Sequence, residues 1–166
     1  MTSEEIKRLI QNGEKIDVEF KESKNALSKD VYDSVCSFNN RNGGHIVLGV
    51  NDKREITGVN PDMVDKITRE FTTAINNSQK IYPPLYLTPV SIDMEGKKLI
   101  YIRVPKGCQV CRHNGRIWDR SYEGDINITD NAELVYKLYA RKQSTYFVNK
   151  VYPNLGIDCL NSAVIE

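Results

Sequence analysis

Asn39-Asn40-Arg41-Asn42-Gly43-Gly44-His45-Ile46-Val47-Leu48-Gly49-Val50-Asn51-Asp52, with Ile56-Thr57-Gly58-Val59 a few residues later, is the stretch on which the fold turns. Asn40 to Gly44 reads as a tight glycine turn, because Gly43 and Gly44 can take φ > 0 and expose backbone N–H groups. His45 to Val50 is an apolar run too short for anything but a core strand. Upstream, Val18-Glu19-Phe20-Lys21 continues an alternation begun at Ile16, the period of a half-buried strand. Between the two lies a helix, Asp30 to Asn40, presenting Val31, Val35 and Phe38 inward.

Working outward, Thr2 and Glu5 have capping-box spacing ahead of a short helix with Ile6, Leu9 and Ile10 on one face. Asn60-Pro61-Asp62 starts another helix, in which Met63, Ile67, Phe71 and Ile75 recur every fourth residue. Strands follow around Leu85 to Met94 and Lys98 to Val104, joined by a turn at Glu95-Gly96, with Pro89 marking an edge or bulge. Asn114-Gly115 turns the chain into Arg116 to Ser121. Asp130 and Glu133 repeat the capping-box spacing before a helix carrying Leu134, Val135 and Leu138. The sum is an α+β fold, a mixed β-sheet with helices packed mainly on one face. Residues 1–153 are expected to form one domain, and 154–166 a C-terminal tail or the start of a further segment.

Composition narrows the class. At 166 residues, 40% hydrophobic and 27% charged, this is an ordinary globular chain with enough length for a real core. Lys plus Arg number 23 against 22 Asp plus Glu, so an electrostatic footprint must come from local segregation. No apolar run reaches membrane-spanning length and the first residues do not resemble a signal peptide, so a cytoplasmic location is expected.

Glu19-Phe20-Lys21, Ser37-Phe38-Asn39-Asn40 with Gly43-Gly44, Gly49-Val50-Asn51-Asp52 and Ile56-Thr57-Gly58-Val59 together resemble the Schlafen AlbA-type domain. His113-Asn114-Gly115 and Trp118-Asp119-Arg120 look like that family's late hairpin, and the resemblance spans roughly residues 14 to 150. It implies an AlbA-like fold and a DNA-binding role in bacterial transcriptional regulators. In some relatives a Glu, Glu, Asp set forms an endoribonuclease site.

The candidate residues fall into groups. Arg103, Lys106, Arg112, His113, Arg116 and Arg120 crowd one segment against a single acid, Asp119, and Lys21 and Arg41 join them as candidate nucleic-acid contacts. Arginine forks suit phosphate oxygens, and Trp118 and Tyr122 could stack on exposed bases. The Gly43-Gly44 turn could hold one phosphate. The plainer reading is a solvated hairpin with edge-protecting charges. Glu14, Glu19 and Asp52 could converge on Mg²⁺ or Mn²⁺ if the enzyme reading holds, although Asn51 competes for the third position. Otherwise no cofactor is expected, and simple ion pairing of Glu19 is preferred. Cys108-x-x-Cys111 with His113 supplies three zinc ligands where a structural site wants four, so incidental thiols are preferred there. Gly44 and Gly49 have phosphate-loop spacing without its Lys and Ser/Thr. The reading is therefore a nucleic-acid-binding domain, DNA before RNA. Its alternatives are a metal-dependent nuclease and a module that oligomerises through a sheet edge.

Overall fold

The computed structural model describes residues 2–147. Helix α1 (Ser3–Asn12) opens with the expected capping box: the Glu5 N–H donates to Thr2 Oγ1 and the Thr2 N–H to the Glu5 carboxylate. The first sheet contains β1 (Val18–Lys21), β2 (Gly44–Leu48), β4 (Val90–Met94) and β5 (Lys97–Val104), in the order β1-β2-β5-β4. β1 runs parallel to β2, and the other pairs are antiparallel. This parallel pair needs a crossover, and α2 (Val31–Asn40) supplies it.

The period-2 pattern of β2 distributes its side chains as the geometry of a strand requires. Ile46 and Leu48 join Val31, Val35 and Phe38 of α2, and Ile67, Phe71 and Ile75 of α3 (Val64–Ile75), on one face. Val47 lies on the other with Val18, Phe20, Leu99 and Tyr101, where Ile6 and Ile10 of α1 cover it. The chain thus has α2 and α3 on one side of this sheet and α1 on the other.

The structure divides what the sequence suggested as one sheet into two. The second has order β3-β6-β7-β8, from β3 (Ile81–Tyr82), β6 (Arg112–His113), β7 (Arg116–Ser121) and β8 (Gly124–Asn127), all antiparallel. Helix α4 (Ala132–Phe147) packs Val135 and Leu138 on it against Val110, Ile117 and Ile128. Its N-cap is Asn131, whose side chain accepts from the Leu134 N–H; the expected cap, Asp130, is one residue early. The strand expected from Leu85 begins only at Val90, directly after Pro89, which has no N–H for a ladder. The tail boundary at 153 lies outside the described residues.

Helix α2 is the centre of the molecule: Val31 and every residue from Ser34 to Asn40 are buried. Its apolar face meets the first sheet, while its polar residues meet the second. The Ser34 hydroxyl donates to Asp125 at 2.6 Å and Ser37 donates to the same carboxylate. Asn40 is fully satisfied, donating to the carbonyls of Cys111 (2.8 Å) and Trp118 (2.7 Å) and accepting from the Cys111 N–H. Asn39 donates to the Pro105 carbonyl. The Asn39-Asn40 pair is therefore a latch that fixes the β5–β6 connection and the β6–β7 hairpin against α2.

Candidate nucleic-acid interface

The eight candidate cations separate into groups of different character. Arg120 is a core residue, only 5% exposed. Its Nη1 donates to Asp125 at 2.8 Å, Nη2 donates to Glu19 at 2.8 Å, and Nε donates to the Ile16 carbonyl at 3.1 Å. Its guanidinium also lies 4.7 Å over the Phe38 ring. Burial works against this charge, but Asp125 and Glu19 more than offset it and its pKa is raised. Arg120 has no exposed face for a phosphate, which corrects its assignment as a nucleic-acid contact. Lys21 is likewise engaged, bonded to Asp30 at 2.6 Å and to Glu19 at 2.8 Å. Burial opposes its ammonium, and the two carboxylates again raise its pKa.

Around the α2–β2 turn, Arg41, Asn42, Gly43, His45, Arg103 and Asp17 line a hollow of about 270 Å³. Arg41 reaches Asp119 at 3.3 Å, a carboxylate that Arg141 also holds at 3.0 Å. Arg103, exposed on β5, donates to the Gly44 carbonyl and to His45 Nε2, both at 3.1 Å. That donation leaves the His45 proton on Nδ1, facing the Tyr101 hydroxyl at 2.7 Å. Burial and the Arg103 charge lower the His45 pKa, so the ring is neutral and the positive charge of this hollow belongs to the arginines. Lys106 is exposed in the following loop, whose backbone lies directly over Gly43.

The glycine turn is not an open cradle. Gly43 has φ +80°, as expected, but both glycines are buried and the Gly43 N–H donates to the Phe38 carbonyl at 2.8 Å. The N–H that was to face a phosphate instead closes α2. What the turn contributes is closeness: a Cβ on Gly43 would stand 2.6 Å from the Val104 carbonyl oxygen, and one on Gly44 2.6 Å from the Phe38 ring.

The β6–β7 hairpin carries the second group. Arg112 donates to the Tyr139 hydroxyl at 2.7 Å, and Arg116 is exposed opposite His113. Asn114 donates to His113 Nε2, leaving Nδ1–H for Asp33 at 2.7 Å. Lys29, Asp33, His113, Asn114, Arg116 and Trp118 border a hollow of about 470 Å³. Trp118 packs against the main core cluster, which removes it from the stacking role; Tyr122 stays 93% exposed.

The proposed carboxylate triad does not assemble. Glu14 accepts from the Phe20 N–H at 2.9 Å, Glu19 is held by Arg120 and Lys21, and Asp52 is exposed in the turn after β2. Asn51 uses its carbonyl oxygen to accept from the N–H groups of Lys53 and Glu55. Cys111 is buried against Cys36 and His113 is bonded to Asp33, so the Cys108, Cys111 and His113 set is dispersed as well. Among the described residues, no group of three or more His, Cys, Asp and Glu side chains could hold a metal ion.

Sequence reasoning did not find Lys142. It is 4% exposed on α4, and its Nζ donates to the carbonyls of Asn39 and Gly107, both at 2.7 Å. Burial, then the charges of Arg141 and Lys106, push its pKa down to about 8. The folded state therefore binds fewer protons than the unfolded state between about pH 8 and the usual lysine value near 10.4. Stability should rise with pH across that window. Against Lys142→Met, whose profile lacks this component, the wild type should gain on the order of 2–3 kcal/mol from pH 7.5 to 10. Parallel urea-melt profiles would contradict it.

Among the described residues, no helix is long and apolar enough to cross a membrane. No curated protein matches the chain. The DIP2311 protein of Corynebacterium diphtheriae superposes with a TM-score of 0.54 at 16% identity, covering 75% of this chain. The chain spans only 29% of that protein. The N-terminal domain of a Nitrosomonas europaea protein described as related to the ATP-dependent DNA helicase RecG gives a TM-score of 0.45 at 24% identity. That match covers 62% of this chain and 69% of the domain. The family model for Schlafen, AlbA_2 matches residues 14–129, from four residues before β1 to two residues past β8, and the chain belongs to that family.

Proposed function

We propose that this domain seats nucleic acid through phosphate contacts from Arg103 and Lys106 beside the α2–β2 turn and from Arg112 and Arg116 on the hairpin. The observation that carries it is a sorting of charge. Asp119, Asp125 and Glu19 are held in ion pairs by Arg41, Arg141, Arg120 and Lys21, and Asp33 accepts from His113, so that Asp17 is the one acid lining the two hollows without a cationic or histidine partner among the described residues. Arg103, Lys106, Arg112 and Arg116 are left with no ion pair among the described residues. A near-neutral chain thus presents unpaired cations on the surface that the family motifs build.

Phosphate contacts supply affinity without sequence readout, so binding should be modest and salt-sensitive. Duplex DNA is the favoured ligand, since the proposed contacts are arginine and lysine side chains suited to a phosphate backbone. Such a domain fits the DNA-anchoring part of a transcriptional regulator acting in the cytoplasm.

Arg103→Ala with Lys106→Ala should weaken binding of a fluorescent duplex roughly tenfold at 0.1 M salt, and flatten the log–log salt slope by about two units. An RNA duplex and a single strand of the same length, run alongside, decide between the nucleic-acid classes. Anisotropy curves that coincide for wild type and variant at every salt concentration would place the interface elsewhere.

A further inference from the structure

Cys36 lies in the middle of α2 and Cys111 immediately precedes β6, 75 positions away. Both are fully buried, and their sulfurs sit 2.8 Å apart, inside the spacing at which two non-bonded sulfurs rest. The backbone around Cys111 is already fixed to α2, since its N–H and C=O both bond the Asn40 side chain. Closing to a disulfide at about 2.05 Å therefore asks for less than an ångström of sulfur movement. We propose that Cys36 and Cys111 form a disulfide site that a peroxide closes, clamping the β6–β7 hairpin to α2.

The reduced state is a neutral thiol pair: burial, and then the Cys111 contact, raise the Cys36 pKa far above its usual value. Oxidation consequently waits for a local opening that admits the oxidant. One thiol sulfur then attacks the peroxide, forming an S–O bond, breaking O–O and releasing water as a sulfenic acid appears. The second thiol attacks that sulfur, the S–S bond forms, and the hydroxyl leaves as a second water with the thiol proton. Two cysteines are oxidised for each hydrogen peroxide reduced. Among the described residues, Cys108, exposed three residues before Cys111, is the competing target.

The test treats the full chain with hydrogen peroxide, traps remaining thiols by alkylation and maps peptides without reduction. The expected result is a Cys36–Cys111 cross-linked peptide two hydrogens lighter than its parts. The melting temperature should also rise by about 10 °C, since the closed loop is long, and dithiothreitol should reverse it. Cys108→Ser should give the same cross-link and the same shift. A bridge from Cys36 or Cys111 to Cys108 or Cys159, or oxidation elsewhere with Cys36 and Cys111 still alkylatable after unfolding, overturns the proposal. So does the expected cross-link without a change in melting temperature.

Discussion

Arg120→Met is expected to destabilise the domain by about 3–5 kcal/mol, because it removes the central cation of a buried ion-pair network. The Arg120 side chain is 4% exposed, and it bridges the first strand to the second sheet. Its loss leaves Asp125 without a counter-charge and Glu19 with Lys21 alone, and takes a donor from each of the Lys15, Ile16 and Val18 carbonyls. Lysine cannot substitute, having a point charge where directed N–H groups on Nε, Nη1 and Nη2 together serve five acceptors. Urea melts of Arg120→Met, Glu19→Gln and the double variant check this. The double should cost less than the sum of the singles, since each removes part of what the other pairs with. An Arg120→Met loss below about 0.5 kcal/mol, the ordinary range for a surface substitution, would contradict the placement.

Gly43→Val with Gly44→Val should cost about 3–6 kcal/mol, combining backbone strain at one position with overpacking at both. At Gly43 the β-carbon is opposed twice, by φ +80° and by the Val104 carbonyl oxygen, which cannot rotate away. At Gly44 the backbone itself is unstrained and the obstacle is the Phe38 ring alone. The single alanine variants separate these causes. Gly43→Ala carries both penalties, whereas Gly44→Ala measures how far Phe38 can yield inside α2. If either alanine variant melts like the wild type, the turn is not the close-packing element described above.

What the sequence made legible follows from periodicity. The alternation of Val18 and Phe20 with Glu19 and Lys21 marked β1, and Thr2 with Glu5 gave α1 its start, because both signals are local. The second sheet was less visible. β3 and β6 are each two residues long, too short for any alternation, and β8 reads Gly-Asp-Ile-Asn, a turn-like composition held in place by β7. Arg120 had the same appearance as Arg116 in a run of cations. Four residues apart, they share one face of β7; they differ because Arg116 stands exposed at the strand's start, whereas Glu19, Asp125 and the Phe38 ring meet Arg120 from other segments. The Ser34, Ser37 and Asn40 face of α2 looks solvent-bound in sequence, and is buried because a second sheet supplies its partners. Lys142 gave no signal, since its partners are backbone carbonyls.

The central claim is that nucleic acid lies across the unpaired cations of the α2–β2 turn and the β6–β7 hairpin. Amide chemical-shift mapping of the ¹⁵N-labelled chain, titrated with duplex DNA at low and moderate salt, tests it most directly. Perturbations are expected to concentrate at Arg41 to His45, Arg103 to Lys106 and Arg112 to Arg116, and to shrink together as salt is raised. Perturbations centred instead on α1 and β4, across the first sheet, or none at low salt, would contradict it.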